Sequence, residues 1–228
     1  MYYLGDIIGV VEAEEGTYLK VLIPQEKILN KLNRYKVGRS VKVEIRVDDG
    51  RLISNNQRKK IFATIKDISN FTGNHPEDQR GILLYDYCIQ TGEMPFSLSN
   101  CTIGQARLFI NHIIEFILKH NIPLTDLALN RTEDIDTYLY YCIKYRRCAI
   151  TGEPGADCHH VTGSRVGMGG DRTSISNRGR ELVALSRKWH NRVHQEGEKD
   201  IFNLYKIYGI TLDDVTLGEL RLSSSDIT

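Results

Sequence analysis

The sequence predicts an α+β protein, and three observations carry that prediction. Residues 1–55 hold short β-branched runs set apart by turn residues, residues 56–146 shift to helical periodicity, and residues 147–228 run strand, loop and helix around a histidine cluster. At 228 residues the chain is long enough for one to two compact units. With 41% hydrophobic and 26% charged residues it has the composition of a globular protein with a real core.

In the first segment, residues 5–11, 18–23 and 41–47 read as strands, with turns at Glu15-Gly16 and Asp49-Gly50. Val41, Val43, Ile45 and Val47 alternate strictly with Lys42, Glu44 and Arg46, which gives one buried and one wet face. A helix over 25–32 interrupts these strands and favours a small, partly open barrel of the OB or SH3-like kind.

The middle segment opens with the basic run Arg58-Lys59-Lys60, and Ile61, Ile65 and Ile68 with Phe62 then form a helical stripe. A second helix is predicted over 77–90. For the third, Thr102 and Gln105 make a capping box ahead of Leu108-Phe109-Ile110, Ile113-Ile114 and Ile117-Leu118, and the helix ends at Asn121 to Pro123. A fourth covers 133–145. The apolar faces of these helices read as core.

In the last segment, residues 148–152 read as a strand leading into a turn, 156–161 as the returning strand and 186–196 as a helix. Four of the seven histidines fall in the 36 residues from His159 to His194. His190 and His194 are four apart and share a helix face. Imidazole is the commonest metal ligand and the commonest general base near neutral pH, so the cluster points to metal-assisted hydrolysis. An ion acting on a scissile phosphate needs two or three protein ligands with open positions, and beside it a neutral imidazole that does not ligate. Adjacent histidines at a strand end can divide those two tasks. The rival reading is a closed zinc site made of Cys148, Cys158, His190 and His194, in which His159 and His160 would be redundant.

Bulk charge and cysteine usage narrow the setting. A net charge of +1 excludes polyanion binding driven by overall charge, so any basic surface is local. Between Lys144 and Lys199 there are 11 Lys and Arg against 6 Asp and Glu, which suits a phosphate-contacting module and equally a solvated face. The five cysteines form no C-x-x-C pair, so reduced thiols in the cytoplasm are expected rather than a disulfide framework. Neither a signal peptide nor a run of about 18 apolar residues is present, and no membrane partner is expected.

The His159-His160-Val161 triplet and the pattern L-x-x-x-x-H-N-x-x-H over 185–194 resemble the HNH, or ββα-metal, nuclease family. The resemblance spans about 50 residues. It implies a C-terminal ββα-metal module in which His159, His190 and His194 are metal ligands and His160 deprotonates the attacking water. It further implies one divalent ion, Mg²⁺ or Mn²⁺ first, with Zn²⁺ and Ni²⁺ as the alternatives. The family's middle Asn stands about nine residues before the helical ligand, where this chain has Glu181; Asn177, four residues upstream, is assigned to orient His160. Thr151, Ser186 and Trp189 stand where relatives carry structural-zinc cysteines, so that second site is not expected. Arg165, Arg172, Arg178, Arg180 and Arg187 are the expected phosphate contacts, since the guanidinium fork matches phosphate.

The middle stretches NQRKKIFATIKDISNFTG and GEMPFSLSNCTIGQARLFINHIIEFILKHNIPL are similar to the phage recombination-mediator family known as NinB or Orf. That resemblance implies contacts with single-stranded DNA or a single-strand binding protein through Arg58, Lys59, Lys60 and Arg107, and a homodimer by analogy. A solvated basic face is the other reading of those residues. Together the halves imply a bacteriophage HNH endonuclease acting on single-stranded or branched DNA in the bacterial cytoplasm. The alternative is a non-catalytic recombination mediator with a structural or degenerate HNH module.

Overall fold

A computed structural model of the chain describes residues 5–23, 43, 45, 50–162 and 177–222. Two compact units divide it, Met1–Glu44 and Ile45–Thr228. In the first, strands β1 (Asp6–Ala13) and β2 (Gly16–Leu22) pair antiparallel from Asp6 opposite Leu22 to Ala13 opposite Gly16. Their tight turn closes at Gly16, whose φ of 139° favours glycine. The expected helix over 25–32 and, apart from Val43 and Ile45, the expected strand over 41–47 lie outside the described residues.

The second unit is mixed α and β, with eight helices and a three-stranded sheet among the described residues. Helix α1 (Asn55–Thr72) starts at a capping box between Ser54 and Gln57, and α2 (Pro76–Thr91) at His75 followed by a helix-compatible proline. Helix α3 (Ile103–His120) has the expected Thr102–Gln105 box, with both reciprocal bonds at 3.1 Å. Asn121, in the left-handed region, ends it. Its buried Ala106, Phe109, Ile110, Ile113, Ile114, Ile117 and Leu118 make α3 the central helix, packed on α1, α2 and α5 (Ile135–Lys144).

Polar ties fix this packing. Arg131, in the short α4 (Ala128–Arg131), reaches α1 with Nη2 3.3 Å from Asp67 and Nη1 3.0 Å from Thr64, so a buried charge is paired. Glu115 on α3 accepts from Lys144 Nζ at 2.7 Å and Tyr145 Oη at 2.6 Å at the end of α5. Arg147 then donates from Nε to the Leu118 carbonyl at 2.7 Å, which anchors the chain as it leaves the helices for the sheet.

The C-terminal sheet has the order β3 (Asp157–His160), β4 (Glu181–Leu185), β5 (Ile210–Thr211), all antiparallel. This corrects the expected hairpin. Strand β3 pairs with β4, and residues 148–152 form a turn instead of a strand. The reason is local hydrogen bonding: Gly152 N donates to Cys148 O at 2.7 Å and Cys148 N to Glu153 O at 2.9 Å, while Ala149 N alone reaches β4, at Ala184 O. Helix α6 (Arg187–Glu196) falls where expected. Beyond it lie three unpredicted elements, α7 (Glu198–Tyr205), β5 and α8 (Asp214–Glu219). No helix among the described residues is long and apolar enough to cross a membrane.

Burial pushes the Glu115 carboxyl up, but the bonds from Lys144 and Tyr145 outweigh it and hold the group below the usual carboxylate range. A carboxyl depressed in the folded state contributes stability above its unfolded pKa of about 4.3, and that contribution is lost as pH falls through the folded value. Thermal melts should therefore show wild type more stable than Glu115→Gln at neutral pH. The gap should narrow steadily as pH drops below about 4. A gap that stays constant with pH would remove Glu115 as a contributor.

Candidate metal centre

Alternation along β3 sends adjacent side chains to opposite faces of the sheet. His159 stands opposite Val183 and His160 opposite Leu182. The first is buried, at 2% exposure, and the second is half-buried. Helix α6 begins two residues after β4 ends, with Ser186 between them as cap, and it packs on both β3 and β4. That short connection brings His190 and His194, one turn apart, to His159.

Ligand-competent atoms of His159, His190 and His194 all lie within 4.8 Å of one another. Their ring centroids are 4.9, 5.2 and 4.7 Å apart. No other such group occurs among the described residues. Burial, then the neighbouring His159 and His194 rings, push His190 below the usual imidazole range, which favours the neutral form that ligates metals. Three imidazoles at this separation suit one divalent ion, with positions left for other ligands.

The rival cysteine site does not assemble. Cys158 adjoins His159 in β3 and so belongs to the other face; its thiol accepts from Arg146 Nη1 at 3.3 Å, and burial raises its pKa. Cys148 is fully buried in its turn and is not part of the imidazole group.

His160 has a different set of partners. Its Nε2 is 2.6 Å from Asn177 Oδ1, and Asn177 Nδ2 donates to the Leu222 carbonyl at 2.6 Å. A carbonyl can only accept, so the amide NH₂ must face Leu222 and the amide oxygen must face His160. That oxygen in turn requires a proton on Nε2, which puts the lone pair of neutral His160 on Nδ1. Glu181, at the spacing where relatives place Asn, opens β4 and is exposed. Asn177 is the residue that meets the ring.

Glu198 could not be picked out from the sequence. It opens α7, 39 residues beyond His159, and places Oε2 2.8 Å from His159 Nε2 while Oε1 accepts from Thr162 N at 2.8 Å. Burial raises its pKa, but the bonds from His159 and Thr162 prevail and hold it low. No periodicity links it to the histidines, and α7 itself gave no sequence signal. The only available sign was an acidic residue just beyond a His-bearing helix.

The expected DNA contacts fall into distinct groups. Arg58 donates to the carbonyls of Leu98 and Ser99 at 3.2 and 3.1 Å, and Lys60 to Thr132 O at 3.1 Å and Glu133 at 2.6 Å, so both charges are engaged within the fold. Lys59 is exposed and Arg107 half-buried. Near the imidazoles, Arg178 faces Asp214 at 2.8 Å and Arg187 faces Asp157 at 3.3 Å, both about three-quarters exposed. Arg180 is half-buried. Arg165 and Arg172 lie outside the described residues.

Two antiparallel strands and a following helix thus meet at three imidazoles, with a fourth held apart. The chain belongs to the HNH nuclease family described as "Putative HNHc nuclease", whose model matches residues 27–219. No curated protein and no solved structure matches it.

Calorimetric titration of the metal-free protein with Mn²⁺ or Ni²⁺ should give one site per chain, lost in His190→Ala. Undiminished binding in that variant would place the metal elsewhere.

Proposed function

We propose that the protein is a metal-dependent DNA endonuclease that hydrolyses phosphodiester bonds, with His159, His190 and His194 as ligands, His160 as general base and Asn177 orienting that base. The observation that carries this reading is the split between adjacent histidines, one in an imidazole trio and the other on an amide that frees its Nδ1 lone pair. A divalent ion, when bound by the trio, would supply Lewis-acid stabilisation of charge building on the phosphate. His160 Nδ1 takes a proton from water as the water oxygen bonds to phosphorus, the P–O3′ bond breaks, and solvent protonates the leaving oxygen. Asn177 keeps the imidazole in the tautomer that can accept that proton. Arg178, Arg180 and Arg187 offer guanidinium groups to the DNA backbone. Recombination or replication intermediates are the proposed substrates, on the strength of the mediator-like middle segment.

Supercoiled plasmid, single-stranded and branched DNA incubated with Mg²⁺, Mn²⁺ or Ni²⁺ should be cleaved by wild type. His160→Ala should cleave about 10²–10⁴-fold more slowly while still binding DNA. Binding without cleavage by wild type under every metal would instead favour a mediator with a structural module.

A further inference from the structure

A neutral imidazole has one N–H and one lone pair, and whichever group holds one nitrogen decides which nitrogen is left to ligate. His159 is 2% exposed on its side chain and Glu198 is 10% exposed, so their 2.8 Å contact is shielded from water. Both carboxylate oxygens are committed, Oε2 to the His159 ring and Oε1 to the backbone N–H of Thr162 just past β3. An ionised carboxylate only accepts, so Nε2 carries the ring proton and the lone pair lies on Nδ1. Gly197, at φ 104°, lets the chain turn from α6 straight into α7, which sets Glu198 beside the strand that carries His159. Helices α6 and α7 pack together, so the pair that brings His190 and His194 to the trio also delivers this carboxylate.

We propose that Glu198 is a positioning residue for the metal centre, fixing His159 in the tautomer whose Nδ1 is the ligand atom and strengthening that nitrogen as a donor. Carboxylates bonded behind ligating imidazoles act in this way, and their loss weakens metal binding. The inference rests on the reading of His159 as a ligand.

Glutamine at 198 keeps the shape but has one accepting oxygen for two N–H donors and no charge, so it cannot replace the carboxylate. Calorimetry of the full chain with Mn²⁺ and Ni²⁺ should show Glu198→Gln binding about 10–100-fold more weakly than wild type. Its circular dichroism should match wild type, so that the weaker binding is not loss of the fold, and affinity should recover in Glu198→Asp more than in Glu198→Gln, which a merely structural role would not require. Wild-type affinity in Glu198→Gln, with binding lost in His159→Ala, overturns the proposal and leaves the metal site standing. Wild-type affinity in His159→Ala overturns the ligand reading and the proposal with it. Long-range ¹H–¹⁵N spectra of wild-type, metal-free protein need no variant: a proton on His159 Nε2 is expected, and one on Nδ1 overturns the assignment.

Discussion

The pairing of β3 onto a β4 that is buried from Leu182 to Leu185 is the constraint on which the rest of the second unit depends. Leu182, Val183, Ala184 and Leu185 all have 0% exposure, and their strand is the middle one of its sheet. A strand covered on both sides reads as an unbroken apolar run, and burying such a run is the main source of its stability. Helix α5 packs on it, the 148–152 turn bonds to it through Ala149, and α6 leaves directly from its end. The hydrophobic core of the helices is thus continuous with the base of the imidazole trio. A one-residue slip of β3 on β4 would exchange the faces of His159 and His160. The opposed pairs His159–Val183 and His160–Leu182 therefore decide which imidazole joins the trio.

The two histidines differ in surroundings as much as in direction. His159 sits in the interior against a carboxylate, an arrangement suited to holding a cation whose charge offsets the buried anion. His160 sits at partial exposure against a neutral amide, which orients the ring without adding charge to it. That amide is itself aimed by the Leu222 carbonyl just past α8, and Arg178 next to it faces Asp214 at the start of α8. The segment beyond α6 thus supplies a partner to each histidine: Glu198 directly and Leu222 through Asn177.

Signals that act within a few residues are legible in the sequence. The Thr102–Gln105 box, the Ile61/Ile65/Ile68 stripe and the four-residue spacing of His190 and His194 are local, and each element forms where those signals put it. Pairing of β3 with β4, some twenty residues further along the chain, is not local, and Cys148-Ala149-Ile150 is as apolar as a strand while its backbone closes on itself. The run LVAL at 182–185 carries no alternation because both its sides are covered, so it gives no period-2 signal. That Asn177 rather than Glu181 meets the His160 ring is not encoded in spacing alone. Elements of eight, six and two residues after α6 are too short for periodicity to declare, and Glu198 went unread with them.

The distribution of basic side chains gives the last step. Arg58 and Lys60 come from the most basic run of the middle segment, yet each holds backbone carbonyls of a distant connection, and Lys60 also pairs with Glu133. A cation already bonded within the fold would have to break those bonds to neutralise a phosphate, so it adds little to DNA affinity. Arg187 differs: it pairs with the exposed Asp157, and such a surface pair is worth about 0–1 kcal/mol. A phosphate can compete for it at small cost, with the guanidinium fork favouring the exchange. For the proposed DNA substrate, Arg187 beside the imidazoles is therefore better placed to meet a phosphate than Arg58 or Lys60 in the helical segment.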